Sequence, residues 1–189
     1  ENLNAGLTLT LAPSVLGASQ PMAVALGSGT INTVGDIGIA ADLSGTAFTK
    51  TGAGVLTLSG TNTYTGNTSI SEGTLQIGSG GTSGTSGFSN IAIASGANLT
   101  FNRSDSVSTG FIISGAGTLT QAGGGTTILT GGNSYTGTTF LQAGTLQIGN
   151  GGTAGSLGSG PVVTSGGATL AVNRSNDLSM FNVISGAGG

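Results

Sequence analysis

The sequence predicts an all-β solenoid, a parallel β-helix of about eight coils with three coils in each 71-residue repeat. Two observations lead there. The first is a gapless near-repetition at an offset of 71 residues: Asn62–Gly78 reads NTYTGNTSISEGTLQIG and Asn133–Gly149 reads NSYTGTTFLQAGTLQIG, identical at 11 of 17 positions. The correspondence continues through Gly80-Gly81-Thr82 onto Gly151-Gly152-Thr153 and Asn102-Arg103-Ser104 onto Asn173-Arg174-Ser175. It ends with Ile113–Gly117 matching Ile184–Gly188. Repetition at a fixed period marks a fold made by stacking, in which each unit buries its apolar face on the next. The second observation is alternation. Leu7-Thr8-Leu9-Thr10-Leu11, Val55-Leu56-Thr57-Leu58, Thr74-Leu75-Gln76-Ile77 and Ala97-Asn98-Leu99-Thr100-Phe101 place apolar side chains at every second position. That is the period of a half-buried strand, and no stretch keeps a 3.6-residue pattern long enough for a helix.

The elements follow in order. Residues 1–47 keep the strand style without the register of the repeat, and Pro13 and Pro21 make Ala12–Met22 an excursion from the stack. Residues 48–118 form the first unit and 119–189 the second. Phe48, Leu75, Leu99, Leu119, Leu146 and Leu170 head similar short strands, which suggests coils of roughly 24 residues. Coils about 4.8 Å apart would build a rod on the order of 40 Å long. Gly, Asn and Ser punctuate the strands and supply the bends between them. The last residues, Ser185–Gly189, match a place where the first unit runs straight on, so the chain reads as part of a longer one.

Composition narrows the function. Gly supplies 39 of 189 residues, and charge is confined to three basic and six acidic residues. A mean hydropathy of +0.30 with regular Leu, Ile and Val argues against disorder. Without Cys or His there is no thiol nucleophile, disulfide or imidazole ligand, and no cofactor or metal is expected. Three basic residues and a pI near 4.2 leave no patch for nucleic acid. The opening residues, Glu1–Gly6, lack the charge and apolar run of a signal peptide.

Gly52–Gly78 resembles the passenger-associated transport repeat of bacterial autotransporters. Gly52, Gly54, Leu56, Leu58, Gly60, Asn62, Tyr64, Gly66, Thr68, Ile70, Gly73, Thr74, Leu75 and Gly78 hold that repeat's characteristic places. The second copy keeps Asn133, Tyr135, Gly137, Thr139, Leu141, Gly144, Thr145, Leu146 and Gly149, while its opening departs at Gly123-Gly124-Gly125. The resemblance implies a right-handed parallel β-helix in an exported passenger at the bacterial surface or outside the cell. It implies an outer-membrane barrel elsewhere in the full chain and attaches no catalytic residues to the repeat.

Several residues invite a functional reading, and each has a plainer one. Arg103/Asp105 and Arg174/Asp177 suit a polysaccharide site in principle, but Asp105 and Asp177 would lie about three coils apart, beyond the 5–9.5 Å that paired carboxyls need. Turn charge pairs repeated by duplication explain them better. Tyr64 and Tyr135 are placed either to stack on sugars or to cover a corner of the coil with a bonded hydroxyl, and the corner is the commoner role. Asn62 and Asn133 are expected to cap the same turn. The Gly-rich stretches Gly78–Gly87 and Gly149–Gly160 lack the Lys of a phosphate loop and the Asp of a calcium repeat, and read as loops leaving the coil. Asn-x-Ser/Thr triplets at Asn67, Asn98, Asn102 and Asn173 are what so much Ser and Thr produces by chance. A structural stalk or adhesin scaffold is therefore the leading expectation, facing a host surface or glycan. Self-association through ends or sides, giving filaments or autoaggregation, is the alternative. An enzyme acting on polysaccharide is a distant third.

Overall fold

The computed structural model describes residues 2–3, 8–11, 24–26, 29–87 and 89–189. Among these, every regular element is a short strand, every pairing is parallel, and no helix is long and apolar enough to cross a membrane. The expected excursion at residues 12–22 lies outside the described residues.

The strands stack into the three sides of a solenoid of about eight coils. The second side is an unbroken sheet of eight strands: Ile37–Ile39, Val55–Leu58, Thr74–Ile77, Asn98–Phe101, Thr118–Gln121, Thr139–Leu141, Val162–Thr164 and Ile184–Gly186. The first side has six strands, from Thr8–Leu11 to Ile113–Gly115, and continues through the backbone bonds from Ser134 N to Ile113 O and from Thr136 N to Gly115 O. The third side has Asn2–Leu3, Val24–Leu26 and Leu43–Gly45, then Ser106–Thr109, Thr126–Leu129, Thr145–Ile148 and Thr169–Val172. Alternation does the folding. In Val55–Leu58, Thr74–Ile77 and Thr145–Ile148 every second side chain is buried and the others face outward. The inward residues stack coil on coil, as in Leu56, Leu75, Leu99 and Leu119, all fully buried.

Register corrects the expected three coils per unit. Phe48–Thr51 pairs within the first side, but its counterpart Thr118–Gln121 pairs within the second. Val55–Leu58 lies on the second side and its counterpart Thr126–Leu129 on the third. Thr68–Ile70 and Thr139–Leu141 are displaced by one side in the same direction. A 71-residue unit thus spans ten sides, three coils and a third. The physical reason is coil length: the partners Leu56, Leu75, Leu99 and Leu119 define coils of 19, 24 and 20 residues, mostly shorter than the 24 expected. Equivalent surfaces of the two units therefore face directions one third of a turn apart. The ladder drawn from Phe48 to Leu170 is likewise divided: Phe48 belongs to the first side, Leu75, Leu99 and Leu119 to the second, and Leu146 and Leu170 to the third.

Candidate functional site

The repeat motif forms the corners of the coil, and its polar residues join one coil to the next. Asn62 Oδ1 accepts from Leu43 N at 2.9 Å, while Asn62 Nδ2 donates to Thr85 O at 2.5 Å. One amide thus ties the coil before it to the coil after it. Asn133 repeats this, accepting from Ile113 N at 2.8 Å and donating to Ser156 O at 2.8 Å. Asn62 Nδ2 also makes the expected local turn bond, to Gly60 O at 3.4 Å, but both amides act chiefly as staples between coils, because in a solenoid the orphan backbone groups nearest a corner belong to neighbouring coils.

Tyr64 and Tyr135 are fully buried, so neither offers a ring to a sugar. Tyr64 hydroxyl pairs with Thr68 Oγ1 at 3.1 Å and Tyr135 hydroxyl with Thr139 Oγ1 at 2.7 Å. Tyr64 also meets Phe48 edge to face, centroids 5.2 Å apart. Burial pushes both phenols up to about 12, against a smaller opposing effect of the threonine bonds. Leu75 and Leu146 are core residues of the second and third sides.

The motif glycines stand where coils touch. Gly73 and Gly144 have φ of +65° and +61°, and a Cβ at either would strike carbonyl oxygens of the preceding coil, those of Gly52 and Gly54 or of Gly123 and Gly125. Gly66 and Gly137 lie against the backbone of Thr46 and Gly117 in the same manner. Gly78 and Gly149 pack on the side chains of Arg103 and Arg174.

Those arginines carry a role that the sequence reading missed. Arg103 donates to the carbonyls of Thr82 and Gly84 inside the Gly78–Gly87 loop, and Arg174 to those of Thr153 and Gly155 in the equivalent loop. The loops leave the coil as expected, and each is clamped back by an arginine of the next coil. Arg103 is also paired with Asp105 through bonds of 2.9 and 2.8 Å, and this pairing holds the Asp105 carboxyl below the ordinary carboxylate range. In the second unit Arg174 bonds to Asn176 Oδ1 at 3.1 and 3.0 Å, where Asp177 was expected. Asn176 is the residue that corresponds to Asp105, so what the duplication repeats is the clamp rather than a charge pair.

Other acids cap backbone in the same way. Asp36 accepts from Val55 N, Asp42 from Thr61 N and Glu72 from Gly52 N. Among the described residues no cluster of acids is arranged to hold a metal. Lys50, also unforeseen, is fully buried in the first-side ladder between Ile31 and Ile70. Its Nζ donates to the carbonyls of Thr51, Gly52 and Glu72 at 3.0, 2.7 and 3.0 Å. Burial lowers its pKa, with Glu72 opposing.

A surface recess of about 350 Å³ lies on the third side among residues 61–63, 85–87 and 107–111, with Ile77 and Phe101 beneath. A second of about 300 Å³ lies among Asn133, Ser134, 157–159 and 179–182 on the first side. Their linings correspond at the 71-residue offset, so they are one feature presented twice, a third of a turn apart.

A parallel solenoid with corners of this kind is a stacking module, built to extend a chain. The profile of the passenger-associated transport repeat matches residues 48–77 and 119–148, the two corner-bearing stretches just described. Over 74 residues, 39% of the chain, the sequence is 53% identical to the adhesin BmaC autotransporter of Brucella suis biovar 1 (strain 1330). The match spans 2% of that relative's length. No solved structure matches the chain. The chain thus carries two copies of the passenger-associated transport repeat and, over part of its length, is similar to an autotransporter adhesin.

Proposed function

We propose that this segment is a length of stalk in a surface-displayed adhesin, with residues 1–47 leading into two successive units, 48–118 and 119–189, of one continuous solenoid. The observation that carries the reading is where the polar side chains go. Asn62, Asn133, Arg103, Arg174, Asp36, Asp42 and Glu72 all bond to backbone of an adjacent coil. Polarity spent on coil-to-coil joins leaves little for chemistry, which favours a non-enzymatic role. An outer-membrane barrel elsewhere in the full protein and a host surface or glycan at its tip complete the proposal.

End-to-end assembly is the second reading. The coil at residues 172–184 exposes Phe181 by 94%, Val183 by 72%, Ile184 by 55% and Val172 by 52%. Apolar side chains displayed in this way suit contact with a second copy of the chain. Electron microscopy of the purified segment over a concentration series separates the readings. Discrete rods at every concentration, with no retention on glycan or matrix-protein surfaces, support the stalk. Filaments lengthening in steps of about 40 Å support assembly.

A further inference from the structure

The two units differ at one interior position, and the difference points to an ion site. Lys50 of the first unit corresponds to Gln121 of the second. Both lie in interior ladders, Lys50 between Ile31 and Ile70 and Gln121 between Phe101 and Leu141. The corner around them is the same: Gly73 abuts the carbonyls of Gly52 and Gly54 as Gly144 abuts those of Gly123 and Gly125. In the first unit three inward carbonyls, of Thr51, Gly52 and Glu72, gather on the Lys50 ammonium.

Their counterparts in the second unit are the carbonyls of Ala122, Gly123 and Ala143, and there the side chain is a neutral amide. Gln121 Nε2 donates to Gly123 O at 2.8 Å and Gly125 O at 3.3 Å. Gln121 Oε1 is buried, in a residue 1% exposed, and finds no hydrogen-bond donor among the described residues. A buried acceptor without a donor is costly and calls for a bound group. Glutamine is also one bond shorter than lysine, and of the three counterpart carbonyls its amide bonds only that of Gly123, leaving those of Ala122 and Ala143 without the bonds that Lys50 makes in the first unit.

We propose that the Gln121 corner binds a large monovalent cation of ammonium size, coordinated by Gln121 Oε1 and the carbonyls of Ala122, Gly123 and Ala143. The ion does in the second unit what the Lys50 ammonium does in the first. The ligand set is neutral oxygen throughout, which suits a singly charged ion stripped of its water by carbonyls. The cage spacing agrees: oxygens 2.7–3.0 Å from Lys50 Nζ are too distant for calcium, which takes about 2.3–2.6 Å.

Potassium is the probe, with choline, too large for the corner, as the control at equal ionic strength. Potassium should raise the melting temperature of the segment by about 2–4 °C at five times its dissociation constant. Crystals soaked in thallium(I) should show anomalous scattering beside Gln121 and none beside Lys50. Gln121→Lys should abolish the potassium effect and melt higher than the parent in choline. Lys50→Gln should create a second thallium position. Equal melting in potassium and choline, or ordinary water density beside Gln121 after the soak, overturns the proposal and assigns the orphan oxygen to a buried water. The thallium result stands even if the lysine variant fails to fold.

Discussion

At the scale of single residues, the chain makes stability from groups that most surfaces use for binding. Tyr64 and Tyr135 show how this should register with pH. Their phenols titrate near 10 when unfolded and about 12 when folded. Because the folded value is the higher one, this stability is complete below pH 10 and disappears as pH rises from 10 through about 12. The loss should be about 3 kcal/mol for each tyrosine. Lys50, with its pKa lowered by burial, works in the opposite sense, since on raising the pH the folded chain gives up this proton before the unfolded chain does. Urea titrations between pH 9 and 12 should show the decline, and Tyr64→Phe with Tyr135→Phe should flatten it. Leu75→Asp or Leu146→Asp, each placing an unpaired charge in the core, should cost more than about 4 kcal/mol, read as a collapse of the melting temperature. The importance of these tyrosines and leucines is legible in the motif. That of Lys50 and Arg103 is not, because a single charged residue, in a strand or just beyond one, gives no sign of whether it points inward.

At the scale of the element, the Gly-rich loops are held by side chains from the next coil. Arg103→Met keeps most of the packing but removes the donors to Thr82 O and Gly84 O. Lost bonds to a charged group are worth about 1.5–3 kcal/mol each, and the effect should be local. Amide hydrogen exchange should quicken over residues 79–87 while the second-side sheet stays protected. Asp105→Asn should leave that protection unchanged, because Arg174 holds its own loop with Asn176 in the same place. Faster exchange in Asp105→Asn would mean that the charge, rather than the arginine's reach to the carbonyls, secures the loop. Strand existence was readable from alternation in runs such as Val55–Leu58, Thr74–Ile77 and Asn98–Phe101. Which strand pairs with which was not, since loop length sets the pairing and loops carry no apolar period.

At the scale of the molecule, ten sides per unit turn the repeat into a screw. A second unit presents its surfaces a third of a turn from the first, and three successive units are needed to return to one face. The recesses on the third and first sides already show this displacement. Because any side can follow any other when the corners match, removal of residues 48–118 should leave a folded solenoid. Small-angle scattering should find it shorter by about 16 Å, three coils and a third at strand spacing. Removing 20 residues that cut across a corner, such as 62–81, should instead unfold the rod, since Asn62, Gly73 and Gly78 leave together. Equal stability of the two deletions would contradict the equivalence of sides argued from the strand register.

The sequence alone determined the strand period, the stacking and the kinship of the two units, because these rest on local patterns: alternation, glycine at tight corners and a constant offset. Only the tertiary structure decided that the units differ by a third of a turn, that arginines clamp the loops, and that Lys50 and Gln121 lie inside. The reason is that each depends on how many residues a loop spends in passing from one side to the next. That number fixes which coil a side chain meets, and nothing local in the chain records it.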